Sequence, residues 1–146
     1  MKKREIKREY YALVTGTFDN KSGTINAPIS RVSESIITRQ VDFENGDSAI
    51  THYEVLDEFK DISLLRIHLD TGRTHQIRVH MKYIGHPLLG DHLYNEEPGS
   101  LERQALHSRK IGFRHPITLE WMDFECEVPE EWNGIISRVL LRNLYK

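Results

Sequence analysis

Leu64-Leu65-Arg66-Ile67-His68-Leu69-Asp70-Thr71-Gly72-Arg73-Thr74-His75-Gln76-Ile77-Arg78-Val79-His80-Met81-Lys82-Tyr83-Ile84-Gly85 is the stretch that decides the fold. In its first part Leu65, Ile67 and Leu69 alternate with Arg66 and His68, the period of a half-buried strand. In its last part Ile77, Met81 and Ile84 recur at i, i+4 and i+7, one face of a helix. Thr74 is placed to cap that helix and Gly85 to close it. Arg78 and Lys82 then share one flank, one turn apart.

Outward from this switch the signals are those of strands. Tyr10-Tyr11-Ala12-Leu13-Val14, closed by Gly16, is a short buried strand, and Ser22 to Ile29 a second, ended by a turn at Pro28. Asn45-Gly46-Asp47 predicts the turn of a hairpin into a strand over 49–55, with Tyr53 and Val55 on one face. The strands flanking Asp57–Asp61 should pair antiparallel. Downstream, His86-Pro87 and Gly90-Asp91 mark a loop, residues 95–102 a polar surface loop, and 105–113 and 119–126 two more strands. Pro129 opens a final helix, with Glu130 and Glu131 near its positive end and Ile136, Leu140 and Leu144 as its apolar stripe. The expected fold class is α+β: a mixed, mostly antiparallel sheet with two or three helices.

Length and composition bound the function. The chain has 146 residues, which fits a single domain over 1–146. Its one cysteine, Cys126, rules out an intrachain disulfide and a cysteine-ligated zinc cluster. On its alternating strand that thiol is expected to be structural rather than nucleophilic. No run approaches the roughly 20 apolar residues of a membrane span. The basic N-terminus is followed by no apolar run, so it does not read as a signal peptide, and a cytoplasmic protein is expected. The net charge of −2 argues against a nonspecific polycation. The charges are nonetheless segregated. Residues 42–70 hold eight acidic and two basic side chains, whereas 72–115 hold seven basic, four acidic and six of the eight histidines. Such a segment can bind a polyanion on one face, or it can be ordinary charge alternation on solvated surfaces.

Eight histidines raise the question of a metal. His75 and His80 are five apart, and no His-Glu-x-x-His occurs. His107 and His115 have no carboxylates at ligand spacing, so metal binding is not expected. Neither a Gly-x-Ser-x-Gly elbow nor a phosphate-binding P-loop is present. The unusual segment is Leu69 to His80. It sets two arginines, two histidines and a glutamine at the junction of a strand and a helix, where free N–H groups and guanidinium forks favour an anion.

The run Thr71-Gly72-Arg73-Thr74-His75-Gln76-Ile77-Arg78-Val79-His80, then Gly85-His86-Pro87-Leu88-Leu89-Gly90-Asp91 with Leu93-Tyr94, resembles the RluA/RluD-type RNA pseudouridine synthases. So do Arg103-Gln104-Ala105-Leu106-His107, Phe113-Arg114-His115-Pro116, and the opening Arg8-Glu9-Tyr10-Tyr11-Ala12-Leu13-Val14 with Gly16. So too do Gly23-Thr24-Ile25 and Pro28-Ile29. The resemblance runs from about residue 7 to Pro129. It implies isomerisation of specific uridines in ribosomal or transfer RNA to pseudouridine, with no metal or organic cofactor. The target base must leave its stack to be reached. Tyr10 matches the tyrosine that stacks on the base and assists proton removal from C5; Tyr11 points to the other strand face, into the core. Arg78 matches the arginine that pairs with the catalytic carboxylate, and Leu106 an apolar residue of the uracil pocket. Arg73, His75, Gln76, His80, Lys82 and Arg103 are read as RNA-backbone or pocket-supporting groups.

One element of the family pattern does not occur in the sequence. The family's catalytic aspartate lies in a His-Arg-Leu-Asp segment upstream of the strand matching Tyr10, and the sequence contains no His-Arg-Leu-Asp. His68-Leu69-Asp70-Thr71-Gly72 is similar in letters but leads directly into the arginine motif, and Asp91 belongs to a later loop. The chain is therefore expected to correspond to the C-terminal part of a synthase catalytic domain and to be inactive alone. A non-catalytic RNA-binding module on the same scaffold is the alternative. On this reading Arg78 should be solvent-accessible or paired with a substitute anion. Leu13, Leu65 and Ile67 should be exposed and should promote self-association through an uncovered sheet.

Overall fold

The alternation and the switch of period are realised as a strand running into a helix over a sheet. In the computed structural model, which describes residues 7–135, the elements are β1 (Lys7–Thr15), β2 (Ser22–Asn26), β3 (Ile29–Arg31), β4 (Arg39–Val41), β5 (Ile50–Phe59), β6 (Ile62–Leu69), α1 (Gln76–Tyr83), β7 (Leu106–Arg114), β8 (Trp121–Glu125) and a 3-10 helix at Glu130–Gly134. Six strands form one sheet in the order β2-β5-β6-β1-β7-β8, and every neighbouring pair is antiparallel. β3 and β4 form a separate hairpin. The α+β class is thus as expected. Among the described residues no helix is long and apolar enough to cross a membrane.

β1 lies inside the sheet between β6 and β7, so Tyr10 stands opposite Ile67 on one side and Ser108 on the other. Its alternate side chains feed two cores. Ala12 and Val14 join Leu65, Ile67, Ile77, Met81 and Leu88 on the face that α1 covers. Tyr11 and Leu13 join Leu64, Ala105 and Trp132 on the opposite face. Burying each aliphatic side chain of this kind contributes roughly 1.5–3 kcal/mol. A third cluster, Ile29, Ala49, Val79 and Tyr94, ties the β3–β4 hairpin to α1.

Four expectations are corrected. Leu13, Leu65 and Ile67 are each 0% exposed, because α1 covers one face and the Ala105 and Trp132 segments cover the other. Those residues therefore offer no surface for self-association. The turn at 45–47 forms, with the Gly46 N–H donating to the Asp42 carbonyl at 2.9 Å, but the strands it joins do not pair. β4 turns back on β3, while β5 pairs with β2 and β6. The residue before the first turn of α1 is His75 rather than Thr74; it is left-handed at φ 58° and makes no side-chain cap. Cys126 lies just past β8 and is exposed. At the expected final helix the described residues hold the 3-10 helix at Glu130–Gly134; Ile136, Leu140 and Leu144 lie outside the described residues.

Candidate active site

The inner face of α1 carries Gln76 and His80 as well as Ile77 and Met81. Gln76 Nε2 donates to the Ile50 carbonyl at 3.0 Å and to Thr51 Oγ1 at 2.9 Å. Its Oε1 accepts from Thr71 Oγ1 at 2.8 Å and from the Arg73 N–H at 3.0 Å. Thr51 Oγ1 and His80 Nδ1 are 2.7 Å apart, and His80 Nε2 lies 2.8 Å from the Ala27 carbonyl. A carbonyl only accepts, so Nε2 carries the proton, and Nδ1 accepts from the threonine hydroxyl. Both side chains are buried, His80 at 0% exposure, and their bonding capacity is used within the chain. Of the two roles expected for Gln76 and His80, contact with RNA is excluded by this geometry. They fasten α1 to β5 and to the 71–73 loop.

Burial pushes the His80 imidazole below its usual value of 6.5, against an opposing pull from the Ala27 carbonyl. His75 is lowered too, first by burial and then by the charges of Arg78 and Arg39, with Asp91 acting the other way. In the unfolded chain both histidines take up protons as pH falls through about 6.5. Folded, they stay neutral to lower pH, so the unfolded state binds more protons and stability falls as pH drops below that point. Urea midpoints should be flat above about pH 7 and decline towards pH 5. In His80→Gln the decline should be shallower; an unchanged slope would remove His80 from the account.

Arg78 does not stand free. Its Nε and Nη2 donate to Asp91 Oδ2 and Oδ1 at 2.9 and 2.8 Å, and its guanidinium stacks over the Tyr94 ring at 5.0 Å. Its side chain is 13% exposed and that of Asp91 is 0% exposed. The expectation of a solvent-accessible Arg78 is therefore corrected; its anion is the Asp91 carboxylate of the same chain. Asp91 is built in rather than swung in, since the Leu93 and Tyr94 N–H groups also donate to its Oδ1, each at 3.2 Å. Fully buried and bidentate, this carboxylate holds Arg78 in place and is not presented to a substrate. Tyr94 continues the network. Its hydroxyl is 2.7 Å from His75 Nδ1 and accepts the Arg39 N–H at 2.9 Å. Burial raises the phenol pKa, with the Arg39 bond opposing, so the hydroxyl keeps its proton and donates it to the neutral histidine.

Tyr10 and Leu106 both pack, half-buried, against the cluster beneath α1. Register explains their proximity: Ala12 is opposite Leu106 and Tyr10 opposite Ser108, so Tyr10 and Leu106 are diagonal neighbours on one face. Ser108, the residue opposite Tyr10, is small and exposed. Tyr11 is buried in the opposite core, as expected. Arg73 Nε donates to the Ser48 carbonyl at 2.7 Å. Lys82 is exposed, and Arg103 is exposed with an ion pair to Glu131 at 3.1 Å. Asp70 points to solvent and pairs with His52 at 2.8 Å. Among the described residues no group of three or more His, Cys, Asp or Glu side chains is placed to hold a metal ion. Asp91 and Tyr94 were the participants not anticipated. The signal for them was Gly90-Asp91 followed by Tyr94-Asn95, the letters of a carboxylate-capped turn.

The family model for RNA pseudouridylate synthase matches residues 1–83. The chain belongs to that family. An RNA pseudouridine synthase named YjbO from Bacillus subtilis is 45% identical over 132 residues, covering 90% of this chain and 46% of its own length. Ribosomal large subunit pseudouridine synthase D of Vibrio cholerae is 41% identical over 145 residues, covering 90% of this chain and 44% of its own. Among solved structures, human RNA pseudouridylate synthase domain containing 1 superposes with a TM-score of 0.75 at 28% identity, covering 88% of this chain and 56% of that one. This pseudouridylate synthase chain thus spans less than half the length of these curated relatives.

Proposed function

We propose that this chain supplies the base-facing part of an RNA pseudouridine synthase acting on specific uridines of ribosomal or transfer RNA in the cytoplasm, and that it is the C-terminal part of the catalytic domain. The observation that carries the reading is that Tyr10 and Leu106 are half-buried, diagonal neighbours on one sheet face. A uracil flipped out of its stack would lie on the Tyr10 ring, a contact worth roughly 1–3 kcal/mol. Leu106 would line the apolar edge of the base, and the Tyr10 hydroxyl would assist proton removal from C5. The reaction breaks the N-glycosidic bond and rejoins ribose C1′ to C5 of the same base, so no atom is gained or lost overall. Arg78 has five N–H donors and spends two on Asp91. The other three have the capacity for a second carboxylate, the place the family gives to its catalytic aspartate.

That carboxylate is not furnished by any acid described at this site. Asp91 is locked, and Asp70 is exposed and paired with His52. The chain alone is therefore expected to bind RNA without turnover, the property it shares with the alternative, a non-catalytic RNA-binding module. Tritium release from C5-labelled, unmodified ribosomal and transfer RNA tests this. The expected result is none above background. Turnover by the purified chain would show that one of its own carboxylates, Asp70 first among them, does the chemistry.

A further inference from the structure

β8 is the last strand of the six-stranded sheet, and its first residue, Trp121, is 40% exposed. The indole lies close over Gly112 of β7: a Cβ on that glycine would stand 2.6 Å from Trp121 Cζ2. One edge of the ring is pinned, because Nε1–H donates to Asp123 Oδ1 at 2.7 Å. Two cations reach the ring from two other strands. Lys7 Nζ of β1 is 5.9 Å and Arg114 Cζ of β7 is 6.0 Å from its centroid. Arg114 is itself steadied by the Leu119 carbonyl, which accepts from Nη1 at 3.2 Å. Lys7, Arg8 and Arg114 are all exposed, whereas the Asp123 carboxylate at the ring is engaged by the indole N–H.

A tryptophan that merely closed a sheet edge would turn its ring into the core, as Trp132 does at 2% exposure. Trp121 instead keeps its ring at the solvent boundary, its N–H held by Asp123 and two cations within reach of the ring. An aromatic platform flanked by cations matches a polymer in which a flat base alternates with a phosphate. We propose that Trp121 is a stacking platform for a base of single-stranded RNA, with Lys7 and Arg114 taking the adjoining phosphates. The inference rests on the proposed RNA-binding function and adds a contact outside the Tyr10 face.

The chain contains two tryptophans, and Trp132 is buried, so an RNA-responsive change in fluorescence reports on Trp121. The experiment is a titration of the full chain with an eight-residue oligouridylate and, in parallel, with inorganic polyphosphate, which carries charge but no base. Oligouridylate should quench the emission, and polyphosphate should compete for binding without comparable quenching. Trp121→Ala should weaken oligouridylate binding about ten-fold, while Trp121→Phe, which keeps a stacking ring, should stay within about three-fold of the parent. Arg114→Ala should lower the slope of log affinity against log salt by about one. Oligouridylate binding without quenching, with Trp121→Ala as tight as the parent, would overturn the platform and leave RNA binding standing. Absence of oligouridylate binding at low salt would overturn both.

Discussion

Replacing Asp91 with alanine is expected to destabilise the folded chain by roughly 3–5 kcal/mol, because it removes one partner of a buried pair and leaves the other charge uncompensated. The carboxylate is fully buried and holds Arg78 through two bonds at 2.8 and 2.9 Å. It also accepts the Leu93 and Tyr94 N–H groups, so truncation leaves two donors of that turn without their acceptor. Arg78→Ala is expected to cost a similar amount, since a carboxylate at 0% exposure then lacks its cation. The double substitution should cost clearly less than the sum of the two, the mark of a direct coupling. Urea denaturation of the parent, both single variants and the double variant gives the cycle. Single costs under about 1 kcal/mol, the range of exposed pairs, would mean that the pair is not the strut described above.

Gly90→Ala is expected to be about as severe, for a steric reason. Gly90 has φ +71°, and a Cβ there would stand 2.0 Å from the Arg103 carbonyl oxygen and 2.8 Å from its carbon. The obstacle is backbone, which cannot rotate aside. A left-handed non-glycine residue costs roughly 1–2 kcal/mol, and forced overpacking adds roughly 1–3 more. The loop would have to shift one residue before Asp91, so the Arg78 pair would loosen as well. Gly85 is the control: its φ is +87°, but a Cβ there would meet nothing within 4 Å. Gly85→Ala should therefore lose only the conformational part, about 1–2 kcal/mol. Equal melting temperatures for the two variants would show that the Arg103 contact is absent in solution.

What was legible in the sequence was local. The alternation of Leu65, Ile67 and Leu69 and the helical spacing of Ile77, Met81 and Ile84 each encode burial on one face, and both elements formed as read. Gly85 closed the helix at φ +87°. What was not legible depended on partners distant in sequence. Asn45-Gly46-Asp47 specifies a turn but not which strands pair; β5 found better neighbours in β2 and β6. The exposure expected for Leu13 and Ile67 failed because their covers, Trp132 and α1, were not counted as belonging to the same faces. At the site, Tyr10 and Leu106 were legible as family positions, and register then set them side by side. The chemistry of Gln76 and His80 leaves both an RNA-backbone and a pocket-supporting role open. Their positions, one before Ile77 and one before Met81, already set them on the buried face of the helix. The letters at Gly90-Asp91 signal a capped turn, but not that its carboxylate pairs with Arg78, thirteen residues before it.

The placement of β1 between β6 and β7 sets a timetable for synthesis. Tyr10 to Val14 leave the ribosome before both of their neighbours, which are residues 62–69 and 106–114. At roughly 5–20 residues per second, the first partner follows after about 3–11 s and the second after about 5–20 s. Over that interval a five-residue run of aromatic and aliphatic side chains has neither sheet edge satisfied. Such a run, carrying no charge and no proline, is the composition that associates with copies of itself. The basic residues just before it, Lys7 and Arg8, then act as gatekeepers on the nascent chain. Closure between strands this distant in sequence is slower than the folding of a helical bundle of equal size. Expression yield should therefore respond to chaperone supply more than native stability alone would indicate.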